Sequence, residues 1–371
     1  MKIAIVCDWL VTFAGAEKFL AEIIKCFPHA DLFAVVDFLS ENDRKLIGNK
    51  HAKTSFIQHL PFAKKRYRSY LPFMPMAIEQ LDVSSYDLII SNSHAVAKGV
   101  LTGPDQIHIC CALSPMRYAW DLQHQYLKET GLDQGIKGYI AKYFLHKMRI
   151  WDQRTSHGVD HFVAISEYIS RRIWKTYRRE STVIYPPIDT SAFTPWKEKE
   201  DFYITASRMV PYKKMDLIVE SFSTMPDKKL VVIGDGPDFA KVKAKASNNV
   251  EILGFQPNHT LIHQLQRAKA FIFAAEEDYG LLPIEAQACG TPVIAFGKGG
   301  ALETVRGIPE THPTGVFFKE QTISSLCEAI QLFEQVKDQL TLENCLMNAA
   351  QFSPDMFHKK FTQFVYEKMN G

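Results

Sequence analysis

Along this chain, apolar runs of strand length alternate with segments whose apolar residues recur every three or four positions, almost from the first residue. That alternation is the pattern of parallel sheets with helices packed on both faces. The runs predict strands near residues 2–7, 31–36, 87–91, 107–113 and 160–165. A second series is predicted near 202–206, 229–233, 250–253, 270–274, 292–296 and 315–318. Within it, Met215, Ile218, Val219 and Phe222 fall at i, i+3, i+4 and i+7, one stripe of a buried helix. Near the far end, Phe357, Phe361, Phe364 and Val365 follow a Ser353-Pro354-Asp355 start, which predicts a terminal helix.

The two series are separated at Val183-Ile-Tyr-Pro-Pro-Ile-Asp189, where paired prolines forbid a helix and fix an extended link. The expectation is an α/β protein of two Rossmann-like, doubly wound domains, 1–185 and 186–352, with 353–371 as the terminal helix. A length of 371 residues is enough to bury two separate cores. The seven cysteines form no C-x-x-C pair and no set at zinc spacing, so they read as reduced small hydrophobes and the expected compartment is cytoplasmic. The apolar opening is too short for a signal peptide, and no run reaches the length of a membrane span.

Charge is uneven. Residues 1–185 carry 24 Lys and Arg against 18 Asp and Glu, whereas the remainder carries 19 against 23. Much of the excess sits in Lys64, Lys65, Arg66 and Arg68, interleaved with Phe62, Tyr67, Tyr70, Leu71 and Phe73. A second cluster, Arg171, Arg172, Lys175, Arg178 and Arg179, surrounds Trp174 and Tyr177. Such mixtures suit an anionic inner-membrane surface met peripherally, with a solvated helix face as the equal alternative; nucleic acid is not expected as a partner.

The densest chemistry lies in Ala274-Ala-Glu-Glu277-Asp-Tyr279-Gly280-Leu281-Leu282-Pro283-Ile-Glu285-Ala-Gln-Ala-Cys-Gly290. Pro283 suits the first turn of a short helix and Gly290 the left-handed position just past its end. The amides of Gly280, Leu281 and Leu282 then point into the loop and can hold an anion such as a diphosphate. Glu277 and Glu285 can accept hydrogen bonds from sugar hydroxyls, although two isolated glutamates more often solvate a surface helix. A second segment, Thr205-Ala-Ser-Arg208-Met-Val-Pro-Tyr-Lys213-Lys214, brings cations to the carboxyl end of a strand, where doubly wound sheets bind ligands. Lys214 competes with Lys213 for that role. A third, Asp8 to Lys18, holds Gly15 at a strand-to-helix turn where a backbone can approach phosphate. Two further turns, Gly234-Asp-Gly236 and Gly297-Lys-Gly299-Gly300, do not complete a dinucleotide fingerprint and are expected to line the nucleotide crevice, with Gly254 and Phe255 bordering the base.

Glu277 through Glu285, with Gly280, Pro283, Ala286 and Cys289-Gly290-Thr-Pro-Val-Ile, resembles the glutamate signature of the family 4 retaining glycosyltransferases, and Arg208 with Lys213 matches that family's paired cations. The resemblance covers nearly the whole chain and implies the GT-B architecture: two Rossmann-like domains facing a central cleft, with the terminal helix crossing back to the first. It implies nucleotide-sugar in the second domain and acceptor in the first, Glu277 at the donor sugar, Glu285 at the ribose, and Arg208 and Lys213 at the diphosphate. No D-x-D pair is present, so no metal or other cofactor is expected. Attack from the front face, with the departing phosphate oxygen taking the acceptor proton, is preferred to Glu277 as a covalent nucleophile.

Ser91-Asn-Ser-His94-Ala-Val-Ala-Lys98 and Leu113-Ser-Pro-Met-Arg117-Tyr-Ala-Trp-Asp121 resemble a bacterial subgroup of surface-polysaccharide mannosyltransferases. That subgroup implies GDP-mannose as donor and a growing lipid-linked glycan as acceptor. Leu113 stands where the pattern has a histidine, and His94 is the candidate to serve instead; Ala14 stands where the family has a glycine. A UDP-sugar donor is the alternative, and a nucleotide-sugar 2-epimerase of the same fold the more distant one.

Overall fold

The computed structural model describes residues 1–370, and the chain divides into two compact units. Unit 1 comprises Met1–Pro186 and the segment from Phe357 onward; unit 2 comprises Pro187–Met356.

Seven parallel strands form the sheet of unit 1: β1 (Ile3–Cys7), β2 (Asp31–Ala34), β3 (Ala52–Thr54), β4 (Leu88–Ser93), β5 (Ile107–Ala112), β6 (His161–Ala164) and β7 (Ser181–Val183). Their order is β3-β2-β1-β4-β5-β6-β7. Six more form the sheet of unit 2: β8 (Glu200–Ala206), β9 (Leu230–Ile233), β10 (Val250–Gly254), β11 (Ala268–Phe273), β12 (Val293–Phe296) and β13 (Gly315–Phe318), ordered β10-β9-β8-β11-β12-β13. Central strands are apolar throughout because both faces are covered, as in β9 (LVVI) and β12 (VIAF), which are wholly buried.

The stripe Met215, Ile218, Val219 and Phe222 lies buried on the Met215–Ser223 helix and packs into the core of unit 2 with Tyr203 and Phe333. The terminal helix, Pro354–Asn370, buries Phe357, Phe361, Phe364 and Val365. Phe357 meets Phe19 at 5.4 Å and Phe361 meets Phe27 at 6.1 Å between ring centroids, which ties this helix to the Gly15–Cys26 helix of unit 1. β3 and β7 were not anticipated. Each is an edge strand of three residues, Ala-Lys-Thr and Ser-Thr-Val, too short and too polar to make an apolar run.

Each sheet reverses its winding direction once, between β1 and β4 in unit 1 and between β8 and β11 in unit 2. Loops leaving the carboxyl ends of such a strand pair diverge to opposite faces and open a crevice.

Candidate functional site

In unit 2 the loop after β8 is laid down by backbone contacts. Ser207 donates its N–H to the Ile233 carbonyl (3.0 Å), Met209 donates to Asp235 (2.8 Å), and Asp238 donates back to Met209 (3.1 Å). Gly234 and Gly236 make that approach possible. A Cβ on Gly234 would stand 1.8 Å from the Ser207 carbonyl oxygen, and one on Gly236 2.5 Å from that of Met209. With Met209 fully buried between them, the neighbouring Arg208 is turned out to solvent. The chain then passes through a short turn, Pro211–Lys213, and Lys214 takes the left-handed conformation (φ 56°) that starts the next helix. Lys213 pairs with Glu277, both side chains less than a fifth exposed, so the structure separates Lys213 from its neighbour Lys214.

Glu277 belongs to the loop leaving β11, which leans on the Gly297–Gly300 turn. Gly300 donates to the Glu277 carbonyl at 2.8 Å. A Cβ on Gly299 would come within 2.4 Å of that same oxygen, and one on Gly300 within 2.3 Å of Tyr279 Cα. Both glycine-rich turns are therefore backbone cradles for the cationic and acidic loops. Gly280 (φ 88°) reverses the chain into the Leu281–Ala288 helix, and Gly290 (φ 75°) follows its end. Leu281 and Leu282 open the first turn, where an α-helix has no internal acceptors for its N–H groups and presents the positive end of its dipole. Glu285, half-buried, lies one turn further along.

Tyr279, expected from the sequence among the residues at the nucleotide-sugar, has its ring buried against Phe352, 6.1 Å between centroids. Gly254 ends β10 and accepts the Gly234 N–H at 2.8 Å, and Phe255 beside it is 78% exposed. Lys213 and Glu277 thus meet where β8 and β11 end, with Arg208 on the same loop as Lys213 and the helix start following Glu277 along the chain. Cations, helix amides and carboxylates in one place suit a ligand that joins an anionic group to hydroxyls.

In unit 1 the equivalent position holds a carboxylate that sequence reasoning had read only as the start of a turn. Asp8, just after β1, is buried and accepts four backbone N–H bonds from the loop after β4: His94 (2.7 Å), Ala95 (3.1 Å), Val96 (2.6 Å) and Ala97 (2.7 Å). His94 Nδ1 lies 2.9 Å from the same carboxylate, and the Trp9 ring meets the imidazole edge-on at 4.7 Å. Burial alone would discharge His94, but the adjacent Asp8 overrides it and holds the imidazole pKa above its ordinary value. Burial would likewise raise Asp8, yet His94 and the amides hold it below the usual carboxylate range. Asp8 thus seats His94 in a partly exposed position and favours its protonated form.

Gly15 begins the Gly15–Cys26 helix, with nothing within 4 Å of where a Cβ would point. Glu17 accepts the Ala14 N–H at 3.0 Å and closes that helix start, and burial pushes its pKa up. Asn92 donates to the Ala16 carbonyl (3.1 Å), while its buried Oδ1 has no partner among the described residues. Leu113 is half-buried and donates its N–H to Ser93 at 2.9 Å. Behind this end of the sheet, Asp152 accepts from Lys98, from Trp120 Nε1 (2.7 Å) and from the Tyr177 hydroxyl (2.9 Å). Lys98 and Tyr177, taken from sequence as part of a motif and of a surface cluster, are instead the two sides of this interior network.

The family model for "Glycosyltransferase Family 4" matches residues 13–192, and that for "Glycosyl transferases group 1" matches 189–351. The chain belongs to the family 4 glycosyltransferases. Among curated relatives, a GDP-mannose-dependent monoacylated alpha-(1-6)-phosphatidylinositol monomannoside mannosyltransferase of Corynebacterium glutamicum is 30% identical over 203 residues, 46% of this chain and 52% of the relative. The O-antigen chain mannosyltransferase RfbU of Salmonella typhimurium is 24% identical over 202 residues, 50% of this chain and 54% of the relative. The matched stretches therefore span about half of those relatives. Among solved structures, Anabaena HepE in complex with UDP superposes with a TM-score of 0.71 at 17% identity, over 99% of this chain and 100% of that one. Sucrose-phosphate synthase from Thermosynechococcus elongatus gives 0.72 at 16%, over 100% of both. These likenesses establish the α/β GT-B fold for this glycosyltransferase.

Proposed function

We propose that this glycosyltransferase moves mannose from GDP-mannose, with retention of anomeric configuration, onto a growing lipid-linked surface polysaccharide. The observation that carries the reading is the meeting of Lys213 with Glu277 at the carboxyl ends of β8 and β11, on loops that also carry Arg208 and lead into the Leu281–Ala288 helix. In this reading the diphosphate lies against Arg208, Lys213 and the amides of Gly280, Leu281 and Leu282, which neutralise its charge as the bond to the sugar breaks. Glu277 accepts from the donor sugar, Glu285 from the ribose, and Gly254 and Phe255 flank the base. No metal is called for, because fixed cations and helix amides supply the positive charge. The departing phosphate oxygen takes the acceptor proton as the hydroxyl attacks from the same face.

Unit 1 takes the acceptor, with His94 seated against Asp8 and Gly15 leaving open backbone at the helix start. GDP-mannose is preferred because mannosyltransferases are the relatives similar at 30% and 24% identity. A UDP-sugar is the second reading, since structures of the same fold hold UDP and UDP-glucose. Among the described residues no helix is long and apolar enough to cross a membrane, so a lipid-linked acceptor would be met by peripheral attachment at an anionic inner-membrane surface. A thermal-shift panel of GDP, UDP, ADP and their sugars tests the donor, because a ligand of the folded state raises the midpoint by mass action. GDP and GDP-mannose should give the largest shifts; a shift with UDP and none with GDP would overturn the mannosyl assignment.

A further inference from the structure

The basic segment 62–73 offers less apolar surface than its sequence promised. Phe62 is 75% exposed and Phe73 is exposed too, but Tyr67 is buried, and Tyr70 and Leu71 pack against the core of unit 1. A different element carries the exposed apolar area. The Gly135–Thr155 helix, 21 residues long, turns Met148 and Asp152 inward, and Leu145 and Trp151 pack on the same core as the 63–79 segment. Its opposite side is not polar. Ile136 (80% exposed), Tyr139 (75%), Ile140, Tyr143 and Phe144 stand in solvent. Their spacing of i, i+3, i+4, i+7 and i+8 makes one stripe, and Ile150 extends it.

Between Asp133 and Asp152 the helix carries charge of a single sign. Lys137, Lys142 and Lys147 are exposed beside the stripe, and no Asp or Glu occurs in that interval. Lys142 Nζ lies 5.7 Å from the Tyr139 ring centroid and Lys147 Nζ 5.5 Å from that of Tyr143. Lysine ammonium groups next to aromatic rings on one exposed helix face are suited to the headgroup region, where rings sit at the interface and long lysine stems let the ammonium groups reach phosphate.

We propose that the outward face of the Gly135–Thr155 helix lies flat on an anionic lipid bilayer and is the principal apolar anchor of this chain. The inference deepens the membrane part of the proposed function and is independent of which sugar is transferred. The test is co-sedimentation with vesicles of phosphatidylcholine alone and of phosphatidylcholine with phosphatidylglycerol. It compares wild type, a stripe variant (Tyr139→Ser, Ile140→Ser, Tyr143→Ser, Phe144→Ser), a rim variant (Lys137→Gln, Lys142→Gln, Lys147→Gln) and a control (Lys64→Gln, Lys65→Gln, Arg66→Gln, Arg68→Gln). Wild type should bind only the anionic vesicles. The stripe variant should lose about tenfold or more of that partitioning and the rim variant several-fold, each more than the control.

Because the changed side chains face solvent, the melting temperature and the midpoint shift with GDP should stay at wild-type values, so loss of membrane binding is distinguishable from failure of the donor reading. Should the stripe variant misfold, the rim variant reads the same face. Binding unchanged in both helix variants would overturn the proposal. So would a wild-type dimer, measured by light scattering without vesicles, that becomes monomeric in the stripe variant, since the face would then be covered by a second copy.

Discussion

Replacing Asp8 by Asn is expected to destabilise unit 1 and to disturb the loop after β4 together. One carboxylate oxygen accepts from the His94 and Ala95 amides and the other from Val96 and Ala97, with His94 Nδ1 alongside. An amide side chain keeps the shape but turns one oxygen into a donor, so at least one pair of N–H groups faces N–H. Each buried donor left unmade costs about 1–3 kcal/mol, and removing one partner of a buried charge pair costs about 3–5 kcal/mol. Because these overlap, the expected loss is about 3–5 kcal/mol.

Urea unfolding followed by tryptophan fluorescence reports chiefly on this unit, which holds four of the five tryptophans. The sign of the pH dependence follows from the two shifts. Asp8 is held below its ordinary 3.8, so its contribution is present above that pH and fades as pH falls through the folded value. His94 is held above its ordinary 6.5, so its contribution is full below that pH and fades as pH rises through the folded value. The gap between wild type and Asp8→Asn should therefore be widest between 3.8 and 6.5 and narrow on either side. A variant within about 1 kcal/mol of wild type and with a parallel pH profile would refute the reasoning.

Arg208→Ala and Lys213→Ala should each lower kcat/KM by an amount equal to about 2–4 kcal/mol of transition-state stabilisation; steady-state turnover at the wild-type level would remove either residue from the diphosphate site. Glu285→Ala should weaken nucleotide binding measured by calorimetry, whereas Glu277→Ala should lower turnover with nucleotide affinity largely kept; equal loss of affinity in both would contradict the division. Gly234→Ala forces a Cβ to 1.8 Å from the Ser207 carbonyl at a backbone φ of 141°, so it should cost about 2–4 kcal/mol and lower turnover by displacing the Arg208 loop. An unchanged unfolding midpoint would show that this cradle is not needed.

The strands of both sheets were legible wherever burial on two faces produced an uninterrupted apolar run, as at Leu230–Ile233 and Val293–Phe296. The short helix at Leu281–Ala288 was legible from Pro283 and Gly290, which mark its two ends for stereochemical reasons. The cradles were not. Gly234 and Gly299 were recognised as turns, but that each lies flat on a loop dozens of residues away depends on the sheet that brings them together. Asp8 is more extreme, since its partners at 94–97 lie more than 80 residues along the chain and a lone aspartate after a strand carries no signal of them. The Gly135–Thr155 helix escaped notice because helical stripes are read as pointing inward, and here the regular stripe at 136, 139, 140, 143 and 144 points outward. Tyr70, Leu71 and Tyr177 erred in the opposite sense: interleaved with cations, they read as surface and are packed inside or against the core.

The central claim is sugar transfer with retention from a nucleotide-sugar held at the β8–β11 switch point. It is tested most directly by incubating the protein with GDP-mannose and a lipid-linked glycan acceptor, then reading released GDP, the acceptor mass and the new anomeric configuration by NMR in one experiment. The account predicts one hexose added in α linkage for each GDP released, with both signals falling about 30-fold or more in the Lys213→Ala variant. Release of GDP without a heavier acceptor, a free epimerised sugar, or a β-linked product would contradict it.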